Sequence, residues 1–160
     1  MKRIFLTIYG ACLGSPGLGV WACILRYGEH SLERFGGSTN TTKARMELQA
    51  ALEGFKAMKE ASEVQIVSNS QQLLDGFGYW LEEWRATHWI QLKEHSPDPI
   101  PDADLWKAID PLTRRHILGT LYARQLSSSI DVKRCEELAV EQVCLRGEAP
   151  RLSGPFESAA

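Results

Sequence analysis

The sequence predicts a mixed α/β fold, a five-stranded sheet of three antiparallel strands and two parallel ones with helices on both faces. Three observations predict it. The N-terminal quarter carries short apolar runs separated by tight turns. The apolar period then switches from two to between three and four residues. The remainder alternates short buried runs with amphipathic helices.

Each element follows from local pattern. Residues 3–9, 20–27 and 31–37 read as strands, joined by the glycine turn GSPGLG and the tight Tyr27-Gly28-Glu29-His30 connection, as in a β-meander. From Thr42 onward, KARMELQAALEGFKAMKEA spaces Met46, Leu48, Leu52, Phe55 and Met58 as one face of a helix, with Thr41 or Thr42 as N-cap. VQIVS at 64–68 is a short buried strand. QQLLDGFGYWLEEW and DADLWKAIDPL are helical, and the proline-rich HSPDPIPDAD between them reads as an exposed loop. Residues 116–123 form the fifth strand. DVKRCEELAVEQVCL closes the domain as a helix with Val132, Cys135, Ala139 and Val143 on one face and Asp131 as cap. The domain spans 1–145, and 146–160, with two prolines and two glycines, reads as a flexible C-terminal tail.

Composition narrows the function classes. At 160 residues, 44% apolar and 24% charged, the chain suits one globular domain with a single core. A formal charge of −2 offers no bulk attraction to phosphate, so nucleic-acid binding needs a local basic patch. The four cysteines show no CxxC spacing and no secretory leader is legible, which predicts free thiols in a reducing cytoplasm. No apolar run approaches the ~20 residues that span a bilayer, so no membrane partner is expected. The four histidines show no metal-ligand spacing.

The stretches YGACLGSPG, ARMELQAA, VSNSQQ, ADLWKAID and KRCEELA resemble, in order and at matching separations, the motifs of type 1 ribonuclease H, from about residue 3 to 145. The resemblance implies the ribonuclease H-like fold. It also implies the family's chemistry, in which two divalent cations, Mg²⁺ or Mn²⁺, held by four carboxylates cleave the RNA strand of an RNA/DNA hybrid. Those four positions fall on Tyr9, Glu47, Asn69 and Glu136, and only Glu47 is the family's residue unchanged. A phenol with a pKa near ~10 supplies no charge at pH 7. Asn69 keeps the shape of an aspartate and could lend one weak carbonyl ligand, while Glu136 keeps the charge on a longer stem. The expected metal ligands are thus Glu47, Glu136 and, weakly, Asn69, and no stably bound cation pair is expected.

Other matched positions point the same way. Leu126 stands where the family carries a histidine that assists turnover. The positions that read ribose hydroxyls and the minor groove fall on Gly10, Ala11, Lys43, Ala44 and Gln71, of which Gly10 and Gln71 are retained. Thr42 stands at the family's DNA-phosphate anchor. The basic protrusion of the family corresponds to residues 81–104, where Arg85 and Lys93 face Glu82, Glu83, Glu94, Asp98, Asp102 and Asp104. Trp80, Trp84, Trp89 and Trp106 match the family's aromatics there.

Plainer readings exist for each residue. Glu47 could complement the helix dipole, Glu136 could be a solvated helix acid, Tyr9 a rim aromatic, Asn69-Ser70 a helix cap, and Trp84 and Trp89 handle core. The expected function is a degenerate ribonuclease H-like protein that binds RNA/DNA hybrid or another partner without efficient hydrolysis. The alternatives are a metal-dependent endoribonuclease with a remodelled site and a protein-interaction module whose acidic handle docks a basic protein.

Overall fold

A computed structural model describes residues 1–14, 16–93, 96–125 and 130–152, with side chains described for all of these except 91–99, 125 and 146–152. Strands β1 (Lys2–Gly14), β2 (Gly17–Tyr27) and β3 (His30–Thr41) form the expected meander, each longer than its apolar run. β1 and β2 pair from Phe5↔Arg26 to Gly14↔Gly17. Hydrogen bonding to a neighbour carries the strands past the point where side chains are buried.

Helix α1 (Lys43–Ala57) follows, and Thr42 Oγ1 accepts from Arg45 N at 3.2 Å as its N-cap. β4 (Ser62–Ser68) pairs parallel with β1 and β7 (Ile117–Tyr122) parallel with β4, giving a five-stranded sheet in the order β3-β2-β1-β4-β7. β2 lies inside the sheet, so VWACIL is buried on both faces and reads as a continuous apolar run.

The pleat sorts β1. Ile4, Leu6 and Ile8 point into the large core with Met46, Leu52 and Phe55 of α1, while Tyr9 packs on the opposite face against Ala22, Ile24, Cys135 and Leu138. That second face is covered by α5 (Ile130–Leu152). Arg26 of β2 clamps Asp131 through two bonds of 2.7 Å. Asp131 therefore lies in the first turn of α5 as an ion-pair anchor and is not its cap, contrary to the sequence expectation. A carboxylate facing a guanidinium fork gains two charge-assisted bonds, more than a cap supplies. α5 continues to Leu152, beyond the boundary drawn at 145; Gly147 and Pro150 raise the cost of helix without forbidding it. Residues 153–160 of the expected tail lie outside the described residues.

Between β4 and β7 the chain builds a handle. α2 (Gln71–Asp75) runs through a π-helical turn (Gly76–Trp80) into α3 (Leu81–Ala86), and α4 (Ala103–Thr113) returns. The stretch read as a loop contains a strand: β5 (Ile90–Lys93) pairs with β6 (Ser96–Pro99), because Pro97 and Pro99 are tolerated on an edge strand that need not donate. Phe77, Trp84 and Trp106 pack edge to face, with centroids 5.0 and 5.2 Å apart, and Trp84 and Trp89 join the main core as expected. The four cysteines are free thiols. Among the described residues no helix is long and apolar enough to cross a membrane.

Candidate functional site

The sheet register creates a cleft at one end. Thr7 pairs with Val67, and continuing that parallel register by two residues brings Tyr9 level with Asn69. Gly10 lets α1 close over this end: a Cβ there would lie 2.6 Å from Glu47 N and 2.8 Å from Glu47 Cγ. Only glycine permits that approach, which fixes Glu47 beside Gly10, just past the last β1–β4 pair.

Glu47 is buried, and burial pushes its carboxyl above the ordinary range; the Lys43 ammonium and the Ser70 hydroxyl that donates to it act in the opposite direction. Glu47 lies past the first turn of α1, which begins at Lys43, so the dipole at the helix start does not account for it. The Tyr9 phenol is half-buried. Burial raises its pKa above 10.0, and Glu136, Cys135 and Glu47 raise it further, so it stays neutral throughout the physiological range. These effects also locate Tyr9 within electrostatic reach of both Glu47 and Glu136. Glu136 and Asn69 are exposed.

The expected site residues therefore converge, but their donor set does not fit a pair of divalent cations. The β1 position offers a neutral ring packed into the α5 cluster, the β4 position offers an amide, and Glu47 prefers its proton more than an ordinary carboxyl does. Among the described residues no group of three or more His, Cys, Asp and Glu side chains comes together as a metal cage. Hard cations need several anionic oxygens, and two carboxylates cannot balance four positive charges.

Around the cleft, Lys43 and Gln71 are exposed, and Gln71 Nε2 donates to Asp75 Oδ1 at 2.8 Å. Thr42 Oγ1 is engaged as the α1 cap, which leaves its hydroxyl proton for a phosphate. Leu126 and the side chains of Lys93 and Asp98 lie outside the described residues, as does Glu94.

Two features escaped sequence reading. The cap expected at Asn69-Ser70 falls on Ser70, whose Oγ accepts from Leu73 N at 3.2 Å, and its hydroxyl also reaches Glu47. Arg45 bonds Asp102 at 3.0 Å and Asp104 at 2.7 Å, tying α1 to the start of α4. The DAD spacing after a proline was legible as a helix start, yet a partner 57 residues away was not. The handle's Arg85 is likewise consumed by the buried Asp110, shared with Arg114, so neither arginine is free to meet phosphate. A small cleft lined by Glu47, Ser70, Trp84, Asp102 and Trp106 lies between α1 and the handle.

Comparison with known proteins agrees with this architecture. The RNase H family profile matches residues 2–143. Ribonuclease H of Solibacter usitatus is 38% identical over 139 residues, covering 87% of this chain and 93% of that protein. Ribonuclease HI of Neisseria meningitidis serogroup B is 37% identical over 138 residues, covering 86% and 93%. Among solved structures, LC9-RNase H1, a type 1 RNase H with the type 2 active-site motif, superposes with a TM-score of 0.71 at 19% identity, covering 88% of this chain and 71% of that one. LC11-RNase H1 in complex with RNA/DNA hybrid gives 0.57 at 19% identity, covering 86% and 94%. With the strand order, the converging cleft positions and this agreement over most of its length, the chain belongs to the RNase H family.

Proposed function

We propose that this protein is a non-hydrolysing member of the family whose cleft binds RNA/DNA hybrid. The observation that carries the reading is Tyr9. A neutral, half-buried ring, packed against Ala22, Ile24, Cys135 and Leu138, stands where two-metal hydrolysis needs a bridging carboxylate. Binding is supported by Gly10, Thr42, Lys43 and Gln71 along the same end of the sheet, and by the relatives named ribonuclease H. One relative of this fold was solved holding a hybrid.

The cleft's chemistry suits recognition without turnover. Lys43 offers one ammonium, Thr42 one hydroxyl and Gln71 one amide, enough to contact a phosphate and a ribose edge. Arg45 and Arg85 are locked onto carboxylates, so affinity rests on few phosphate contacts and falls only gently with salt. Among the described residues Glu47 and Glu136 alone would remain to hold the cations that activate a water, too few anionic oxygens for a pair.

The test is an end-labelled hybrid incubated in Mg²⁺ and then Mn²⁺, with protein from a host lacking its own ribonuclease H and a Glu47→Ala control. The expected result is no cleavage with measurable hybrid binding by anisotropy. Cleavage that Glu47→Ala abolishes would overturn the proposal in favour of a metal-dependent endoribonuclease with a remodelled site.

A further inference from the structure

Among the described residues nothing covers Tyr79 and Trp80 on the outer face of α2, the π turn and α3. Tyr79 is 61% and Trp80 45% exposed, and Asp75, Glu82 and Glu83 are exposed beside them. Large aromatics at such exposure on a helix need a reason, because each forgoes burial that a core position would give it. The π turn is itself the cause of their placement: one wide turn rotates Tyr79 and Trp80 outward while Phe77 stays buried against Trp106.

The pair is rigid. Tyr79 meets Trp80 edge to face at 4.8 Å and 89°, and Trp80 stacks on Trp84 at 6.3 Å and 17°, with Trp84 anchored on Trp106. A pre-ordered aromatic surface loses little side-chain entropy when something docks on it.

Charge selects the occupant. Residues 71–86 carry three carboxylates, Asp75, Glu82 and Glu83, against the single cation Arg85, which lies near Glu82 and shares the buried Asp110 with Arg114, so the segment stays net negative. Such a face repels phosphate and attracts ammonium and guanidinium groups. Aromatic rings flanked by carboxylates recognise cations twice, through the ring quadrupole and through ion pairing, and guanidinium planes stack on them best. From Asp75 to Glu83 the ridge rises about 12 Å, at ~1.5 Å per helical residue. That exceeds one small cation and matches three or four residues of an extended chain.

We infer that the Tyr79–Trp80 face with Glu82 and Glu83 docks an arginine-rich or lysine-rich segment of a partner polypeptide. The inference stands apart from hybrid binding at the cleft, and the two readings fail separately.

The experiment measures fluorescein-labelled octa-arginine binding by anisotropy at fixed salt, with circular dichroism and melting confirming that every variant folds like the parent. Octa-arginine binds the parent. Glu82→Gln with Glu83→Gln weakens it about tenfold and Tyr79→Ala about threefold, whereas Tyr79→Phe, which keeps the ring, retains parental affinity. Unchanged affinity in Tyr79→Ala would overturn the inference, since the peptide would then be responding to charge alone. Absence of binding to the parent would overturn it too. So would tighter binding of fluorescein-labelled oligo-dT that Tyr79→Ala abolishes, because the face would then serve unpaired bases.

Discussion

Replacing Tyr9 and Asn69 together by aspartate should turn a cleft that does not fit divalent cations into one that binds them. The cost is calculable. Tyr9→Asp withdraws a half-buried ring from Ala22, Ile24, Cys135 and Leu138; at ~1.5–3 kcal/mol for full burial of a large apolar side chain, half burial gives about 0.8–1.5 kcal/mol. The new carboxylate lies near Glu136 and Glu47, and like charges at a semi-exposed site add roughly 1 kcal/mol more. The metal-free double variant should therefore be less stable by about 2–2.5 kcal/mol. A cation that binds only the folded state returns about 2.7 kcal/mol at one hundred times its Kd. For a chain of this size that is a rise in Tm of about 5–10 °C. Thermal unfolding in chelator, Mg²⁺ and Mn²⁺ reads this directly, with titration calorimetry as the second measurement. A double variant whose Tm ignores the cations, or a parent that gains as much, would refute the argument that lost charge is what separates this cleft from a metal site.

Other outcomes follow from single contacts. Gly10→Ala places a methyl 2.6 Å from Glu47 N, so urea unfolding should show a loss of about 1–3 kcal/mol with altered hybrid binding. Asp110→Ala strands Arg85 and Arg114; both are substantially exposed, at 39% and 59%, and can rehydrate, so the loss should be about 2–3 kcal/mol, below the usual cost of breaking a fully buried pair. Burial raises the Asp110 pKa, but the Arg85 and Arg114 guanidiniums outweigh it and hold the carboxyl below 3.8. Its contribution is thus complete above the ordinary aspartate range and fades as pH falls through the lowered value, a loss that Asp110→Asn should remove from the acid-unfolding curve. His116 is held below 6.5 by burial and then by Arg115, while its Nδ1 accepts from Ser62 N at 3.1 Å. The folded state therefore takes up its proton later than the unfolded chain, and stability should decline as pH falls from about 6.5 toward the lowered value. His116→Asn should flatten that slope, and denaturant titrations between pH 5 and 7.5 will show whether it does.

Much of the fold was legible because it is written in local period. The β-meander announces itself through apolar runs broken by glycine turns, α1 through the spacing of Met46, Leu48, Leu52 and Phe55, and α5 through KRCEELA and its apolar face. The four positions Tyr9, Glu47, Asn69 and Glu136 were named from the resemblance of ordered motifs, and the structure places Tyr9 near Glu47 and Glu136. What failed was short-range punctuation. Pro97 and Pro99 read as a loop but sit on an edge strand, and Asp131 reads as a cap but answers Arg26 across 105 residues.

The sequence by itself determined the strand and helix order and the residue types at each position, a phenol at Tyr9 and an amide at Asn69 among them, because these are properties of period and residue type. Only the tertiary structure decided what those residues experience. Glu47 is buried under Gly10 and bonded by Ser70, Tyr9 is wedged into the α5 cluster, and Arg45 and Arg85 are spent on Asp102, Asp104 and Asp110. Burial and ion pairing depend on which distant segments meet, and no local pattern encodes that distance.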